Sequence, residues 1–332
     1  MKTLLTGATG FLGSAIAREL LKDGRKVKVL TRKGADTGNI DGLDLETVHG
    51  DLRDIQSLKE ALRGSDVLYH AAAYYSFWDR DKRLIYDINV GGTRNILKSA
   101  LDQGLRKVVY TSTVGCIGLL ENGRPANENT PLDPATLSND YKRSKYEAEN
   151  VAREFHAKGL PVVIVNPTAP IGPRDIKPTP TGKIIVDFLN RNMPAYLDTG
   201  LNLIDVADCA RGHLLAEEKG VPGERYILGN RNMSLKEILS ALETLTGLKA
   251  PSVKMPYWVA LTAGWVCEMV SDYITGSPPA VPLGGVRMAK YHMYFDSAKA
   301  VRELGLPQNP VEKAIDEAVR WFRENNTTVS GK

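Results

Sequence analysis

A tyrosine and a lysine stand four residues apart in the segment YKRSK, at Tyr141 and Lys145. In a helix this spacing places both side chains on the same face. A free tyrosine has a pKa of about 10, and a neighbouring cation lowers that pKa because it favours the phenolate. The pair therefore predicts that Tyr141 exchanges a proton with a substrate oxygen. A chance pair on an exposed helix is the alternative, since this spacing is common.

A second motif, TGATGFLG at residues 6–13, follows the short apolar run KTLL and precedes the helical pattern SAIARELLKDG. Its glycines permit a tight strand-to-helix turn and let backbone N–H groups approach a pyrophosphate. The positive end of the helix favours the same phosphates. The spacing is GxxGxxG rather than GxGxxG, and a glycine-rich turn without a ligand is the alternative. We predict a dinucleotide site that includes Gly7, Thr9, Gly10, Phe11, Leu12 and Gly13.

The end of the next predicted strand, VKVLTRK, bears on the choice of dinucleotide. An acidic residue here binds a free ribose 2′-hydroxyl, whereas a basic residue pairs with a 2′-phosphate. The strand ends in Arg32 and Lys33, and no carboxylate follows before Asp36. The sequence therefore predicts NADP(H), with NAD as the alternative cofactor and a solvated pair of cations as the alternative for these residues.

Length and composition favour a soluble enzyme of two parts. The chain has 332 residues and a net charge of +4, and no basic run exceeds three residues, so nucleic acid is not expected as a partner. Three widely spaced cysteines predict a reducing, cytoplasmic location and no metal site. The five histidines show no ligand spacing and are interpreted as structural. A strand that starts at residue 2 predicts no signal peptide.

Apolar strands and helical patterns alternate through the first half of the chain. This alternation predicts an α/β fold, a Rossmann-type doubly wound parallel sheet, with a smaller mixed C-terminal substrate domain. We expect residues 1–167 to form the NAD(P)-binding domain, with a segment near 205–219 returning to it. Residues 168–332 are expected to form mainly the substrate-binding domain.

Ligands of such sheets lie at the carboxyl ends of the strands. Several small or polar residues follow the predicted strands and are expected to line this edge. We assign cofactor contacts here to Asp51, Leu52, Ala71, Ala72, Ala73, Pro167 and Thr168.

The motifs TGATGFLG, GDLRD, HAAA, NVGGTRN, YTSTVG, YKRSK and VNPTAPIGP resemble, in order and spacing, the extended short-chain dehydrogenase/reductase superfamily. The resemblance implies that Tyr141 is the acid/base and that Lys145 lowers its pKa and binds the nicotinamide ribose. It also implies that a hydroxyl binds the reacting oxygen, by register that of Thr113, with Ser112 as the alternative. Asn89 would be a structural or relay residue. Homodimers through the two helices near residues 94 and 146 are a further implication.

Within this superfamily, the segments 165–188 and 193–216 are similar to hopanoid-associated sugar epimerases and to dihydroflavonol 4-reductases. Nucleotide-sugar epimerases usually carry a phosphate-binding arginine where this chain has Leu201. A nucleotide-sugar substrate is therefore disfavoured, unless Arg174, Lys177 or Lys183 supplies the charge. We expect an NADP(H)-dependent oxidoreductase that acts on a carbonyl or secondary alcohol. A sugar epimerase that retains its nucleotide is the alternative, and a non-catalytic redox sensor ranks last because Tyr141 and Lys145 are both present.

Two segments are candidates for substrate binding. The aromatic run YYSFW follows the AAA segment, which places Tyr75 and Trp78 at the predicted pocket mouth. The loop 176–183, with Thr179 between two prolines, is predicted to be a substrate lid. The alternative for the aromatic run is a core cluster under a loop. The alternative for the loop 176–183 is a rigid connector between the domains.

The apolar run from Tyr257 to Val270 is shorter than the roughly 20 residues that span a bilayer. We predict a buried helix of the smaller domain and no transmembrane segment. A peripheral membrane contact or a wall of a lipophilic pocket is the alternative.

Overall fold

The computed structural model describes residues 1–76, 82–137 and 139–325. Its strands are β1 Lys2–Thr6, β2 Lys26–Thr31, β3 Glu46–His49, β4 Val67–His70, β5 Lys107–Thr111, β6 Val162–Pro167, β7 Ala169–Ile171, β8 Gly200–Asp205, β9 Arg225–Leu228, β10 Arg231–Ser234 and β11 His292–Met293. Its α-helices are α1 Phe11–Lys22, α2 Ile55–Leu62, α3 Lys82–Tyr86, α4 Gly92–Asp102, α5 Asp140–Ala157, α6 Pro180–Leu189, α7 Val206–Lys219, α8 Leu235–Thr246, α9 Tyr257–Val270, α10 Leu283–Met288, α11 Ala298–Leu304 and α12 Val311–Glu324.

Seven strands form a parallel sheet in the order β3-β2-β1-β4-β5-β6-β9. Successive side chains of these strands point to opposite faces, and the central strands are buried on both. Strand order reverses between β1 and β4, which creates the crevice where doubly wound sheets bind ligands. The predicted parallel sheet is confirmed.

Helices cover both faces of this sheet. On one face α1 packs against α7, and on the other α2, α4 and α5 pack side by side. The segment predicted to return near 205–219 forms α7 at this position. Strand β9 and helix α11 also join this half of the molecule. The division of the chain at residue 167 stays a prediction.

A smaller mixed sheet lies beyond the carboxyl edge of β6. Strand β8 is its centre and pairs in antiparallel fashion with β10 and in parallel with β7 and β11. Apolar residues of α6, α8 and α12 pack on this sheet and form a separate core. The N-terminus of α8 is fixed by a capping box between Ser234 and Glu237.

The prediction of a buried helix at Tyr257–Val270 is wrong. The segment forms α9, but Trp258 is 69% exposed and Trp265 is 56% exposed. Only the small residues Ala260 and Gly264 of this helix are buried. A narrow contact face of small residues lets α10 approach closely, so the bulky side chains occupy the outer side. No helix of the described segments is both long and apolar enough to cross a membrane.

The segment that contains the NVGGTRN motif does not form one continuous α-helix. Residues Asp87–Gly91 form a π-helical turn between α3 and α4. This turn buries Asn89, whose amide donates to the Ser144 hydroxyl (2.9 Å) and to the Tyr74 carbonyl (3.0 Å). Asn89 thereby ties the segment after β4 to α5.

Candidate active site

A cavity of about 960 Å³ lies between the carboxyl ends of the large sheet and the smaller sheet. It brings together most of the residues selected from the sequence. The lining includes Gly7, Thr9, Gly10, Phe11, Leu12, Gly13, Arg32, Asp51, Leu52, Ala71, Ala72, Ala73, Tyr75, Thr113, Tyr141, Lys145, Pro167, Thr168 and Thr179. Lys33 is exposed and does not belong to this lining, and Trp78 lies outside the described residues.

The glycine-rich turn forms a cradle at one end of the cavity. Gly7 has a φ of +79°, a left-handed conformation that favours glycine, and a Cβ there would lie 2.7 Å from the Ala72 nitrogen. A Cβ at Gly13 would overlap the Gly7 carbonyl. Helix α1 starts here without a side-chain cap, so its first N–H groups are left for a ligand. These residues fit the pyrophosphate of a dinucleotide.

Arg32 and Asp51 line the cavity at the ends of neighbouring strands. The Asp51 carboxylate accepts hydrogen bonds from Arg53 Nη2 (2.8 Å) and Nε (3.0 Å), and these bonds lower its pKa to about 2. In the described part of the chain Arg32 has no carboxylate within ion-pair distance. It is the cation that the end of β2 contributes to the cavity lining.

Helix α5 places Tyr141 and Lys145 one turn apart, close to its Asn139 cap. The Lys145 ammonium donates to the Thr111 carbonyl (2.8 Å) and the Tyr110 hydroxyl (3.4 Å). Burial lowers the pKa of Lys145 to about 8. The lysine is thus fixed between α5 and the end of β5.

The predicted lowering of the Tyr141 pKa is wrong for this arrangement. Burial, with a smaller contribution from Cys116, raises the pKa of Tyr141 above its ordinary value. The physical reason is that desolvation disfavours the phenolate, while the Lys145 ammonium is directed at the Thr111 carbonyl. Tyr141 is therefore a phenol at neutral pH, which is the form that donates a proton.

The two candidate hydroxyls after β5 have different partners. Ser112 is buried and donates to Glu149 Oε2 at 2.6 Å. Thr113 is partly exposed and accepts from the Gly115 nitrogen at 3.2 Å, so its proton stays available for a substrate oxygen. This geometry favours Thr113 over Ser112 as the donor.

Sequence reasoning missed Glu149. Its buried carboxylate accepts from Ser112, from Asn166 Nδ2 (3.0 Å) and from Arg153 (2.7 Å). The Asn166 amide also donates to the Thr113 carbonyl at 2.9 Å. Glu149 lies four residues after Lys145, so its position on the same face of α5 was visible in the sequence.

The predicted substrate contacts differ in their geometry. The ring of Tyr75 lies edge-on to that of Tyr141, with centroids 4.4 Å apart. The Thr179 hydroxyl donates to Asp175 (2.7 Å) and accepts from the Gly182 nitrogen as the cap of α6. Tyr75 therefore borders the reacting centre, whereas Thr179 is engaged in holding the loop before α6.

The half of the cavity farthest from the glycine-rich turn, here called the far half, is largely apolar. Leu201 lines this half, whereas Arg174, Lys177 and Lys183 do not line the cavity. Lys177 lies 3.6 Å from Asp36, and Lys183 lies 2.9 Å from Asp187. Other apolar lining residues are Ile184, Met193, Leu197, Met255, Ala260, Val281, Val286, Met293 and Phe295, and the cavity lining also includes the polar residues Asp187, Tyr196, Thr199 and Asn202. The described residues contain no cluster of His, Cys, Asp or Glu that could hold a metal ion.

Comparisons with known proteins agree with this geometry. Over 325 residues the chain is 47% identical to a Synechocystis protein provisionally named dihydroflavonol 4-reductase, covering 97% of this chain and 94% of that one. It is 36% identical to the sterol demethylase protein B of Methylococcus capsulatus, covering 98% and 99% of the two chains. The crystal structure of gox2253 superimposes with a TM-score of 0.87 at 43% identity, covering 98% and 99%.

The parallel sheet, glycine cradle and Tyr-Lys pair define an NAD(P)-dependent oxidoreductase. Residues 3–229 match the profile of the NAD dependent epimerase/dehydratase family, and the chain belongs to that family.

Proposed function

We propose that the protein is an NADP(H)-dependent reductase that interconverts a lipophilic ketone and its secondary alcohol and then releases the product. The observation that carries the proposal is the apolar far half of the cavity, where Leu201 stands in place of a phosphate-binding arginine. Burying a nucleotide-sugar diphosphate against this wall would leave its charge unpaired. An uncharged substrate meets no such penalty.

The names of two relatives point in the same direction. One is named for the reduction of dihydroflavonols and the other for the demethylation of sterols. Dihydroflavonols and sterols are uncharged ring compounds. We propose a substrate of that chemical class for this chain.

The proposed chemistry assigns one role to each polar side chain at the reacting centre. A bound nicotinamide supplies the hydride for reduction and accepts it for oxidation. In reduction, Thr113 donates a hydrogen bond to the carbonyl oxygen, and Tyr141 gives that oxygen its proton as negative charge develops. In oxidation the steps run in reverse, and Tyr141 accepts the hydroxyl proton in its phenolate form. Lys145 holds the nicotinamide ribose, a role for which its place beside Thr111 suits it.

The choice of NADP(H) rests on Arg32. This side chain lines the cavity at the end of β2 and has no ion-pair partner among the described residues, so it is available to a 2′-phosphate. Replacing Arg32 with Gln is expected to raise the KM for NADPH about tenfold or more and to leave the KM for NADH nearly unchanged. Lys33→Gln, outside the cavity, is the matched control. Equal use of NADH and NADPH by the wild type would contradict this choice.

The central experiment is a substrate screen that follows the absorbance of reduced nicotinamide. We expect NADPH oxidation with sterol ketones or dihydroflavonols, and a turnover about 10²–10⁴-fold lower in Tyr141→Phe. Near-normal turnover in that variant would refute the role of Tyr141. NAD that stays bound through purification, with no net consumption of nucleotide, would favour the hopanoid-associated epimerase instead. The homodimer and the cytoplasmic location stay predictions.

A further inference from the structure

The outer side of α9 is the largest concentration of exposed apolar side chains that the structure describes. Seven of the seventeen exposed large apolar residues of the described chain fall within residues 258–274. We call these seven the α9 outer face: Trp258, Trp265, Val266, Met269, Val270, Tyr273 and Ile274. Tyr273 and Ile274, in the π-helical turn Ser271–Thr275 that continues α9, are 79% and 78% exposed.

The spacing makes this face continuous. Trp258, Trp265, Met269 and Tyr273 follow one another at intervals of seven, four and four residues, which places them in one stripe along the helix. The opposite side of α9 carries the contacts with the rest of the protein. A Cβ at Gly264 would lie 3.3 Å from Val286 of α10. Among the described residues, the packing of α9 therefore uses the side opposite the α9 outer face.

The same helix borders the active-site cavity. Ala260 and Ala263 of α9 line the cavity, as do Gly285 and Val286 of α10. A helix with its side chains is about 10–12 Å thick. The α9 outer face is thus separated from the apolar half of the cavity by a single helix.

We propose that the α9 outer face docks on the surface of a lipid bilayer, with α9 lying in the plane of the interface. Tryptophan and tyrosine are the side chains that favour the boundary between water and acyl chains. A helix that lies in the interface buries its membrane-facing side by about 5–10 Å and does not span the membrane. This proposal concerns the surface and does not depend on the substrate.

Two observations favour a bilayer over a second copy of the chain. A stable protein–protein interface takes about 20–30 residues from each partner, and the seven residues of the α9 outer face fall well short of that. The segment 249–293 also carries Lys249, Lys254, Arg287 and Lys290 against Glu268 and Asp272, a formal net charge of +2, and of these cations Lys254 is paired with Asp198 outside the segment. Cations close in sequence to an apolar stripe complement the anionic headgroups of lipids.

Vesicle sedimentation tests the proposal with the full chain and without substrate. The probes are phosphatidylcholine vesicles with and without phosphatidylglycerol. We expect the wild type to sediment with vesicles, and more strongly when phosphatidylglycerol is present. The double variant Trp258→Ser/Trp265→Ser should bind at least about tenfold more weakly. The matched control is Val221→Ser/Val301→Ser, which removes two exposed apolar side chains from other elements and should bind like the wild type.

A second measurement separates insertion from loss of folding. Lipids brominated in their acyl chains should quench the tryptophan fluorescence of the wild type and leave that of the double variant nearly unchanged. Circular dichroism should show the same helix content in all variants. Wild-type protein that stays in the supernatant, or equal sedimentation of the tryptophan variant, would overturn the proposal. So would a dimer that the tryptophan substitutions dissociate, because the face would then be an interface between copies.

Discussion

Lys145 is buried in a position that disfavours its own charge. Its pKa of about 8 lies below the ordinary lysine value of 10.5, so between these values the unfolded chain binds more protons at this site than the folded protein. Below about pH 8 the buried ammonium costs stability, and this cost disappears as the pH rises to 10.5. The wild type should therefore gain stability across this window through Lys145.

The variant Lys145→Met has no such titration. We expect this variant to have a larger free energy of unfolding than the wild type, with the greatest difference near pH 7. The difference should shrink by about 1.4 kcal/mol per pH unit between about pH 8 and 10.5, because only the wild type gains stability there. Denaturant titrations at several pH values measure this difference. Lys98→Met, at an exposed site on α4, should show no such trend. A difference for Lys145→Met that stays constant from pH 8 to 10.5 would contradict the assignment.

Glu149 holds the polar network below the reacting centre. In Glu149→Gln, an amide NH₂ replaces one of the two oxygens that accept from Ser112, Asn166 and Arg153, so a buried donor loses its partner. We expect a loss of about 1–3 kcal/mol in the free energy of unfolding, measured by denaturant titration. Glu154→Gln, on the exposed face of the same helix, should stay within about 0.5 kcal/mol of the wild type. Equal stability of the two variants would show that the network carries little energy.

At the residue scale, the sequence predicted the side chains that lie in local motifs. Tyr141, Lys145 and the glycines at 7, 10 and 13 are recognisable because their spacing within one turn or one loop carries the chemistry. Glu149 and Asn166 are not, because their roles arise only where α5 packs across β5 and β6. The pKa of Tyr141 was missed for a similar reason, since burial is a property of the assembled site.

Among the helices, those with a recognisable cap were the easiest to predict. The N-terminus of α2 is held by Asp54, whose carboxylate accepts from the Gln56 nitrogen, and a cap residue of this kind is visible in the sequence. The π-helical turn Asp87–Gly91 was not predictable, because Asn89 is drawn in by partners on α5 and after β4. Helix α9 was predicted as buried because it is apolar on every side, and composition does not tell which side meets the protein.

The capping box of α8 gives a test at the same scale. Ser234→Ala removes the hydroxyl that accepts from the Glu237 nitrogen, and we expect it to cost about 1 kcal/mol of stability. Thermal or denaturant unfolding measures the loss. Ser240→Ala, at an exposed position in the middle of α8, is the control and should be neutral or slightly stabilising. A similar loss in both variants would rule out the cap as the cause.

In the whole molecule, the large sheet is completed by residues distant in sequence. The outer edge of β6 pairs with β9, and the apolar side of α1 is covered by α7. A fragment of residues 1–167 lacks both partners, and we expect it to show no cooperative unfolding transition, in contrast to the full chain. Circular dichroism during heating distinguishes the two. A fragment that unfolded cooperatively would show that the first six strands suffice.

The late arrival of β9 has a consequence for synthesis on the ribosome. Residues 168–224 must be translated between the end of β6 and the start of β9. At about 5–20 residues per second this takes roughly 3–11 s, during which the nascent chain has an unpaired strand edge open to other chains. Protection of that edge by a chaperone, or a coding sequence without slow codons for residues 168–224, would therefore raise the yield of native protein.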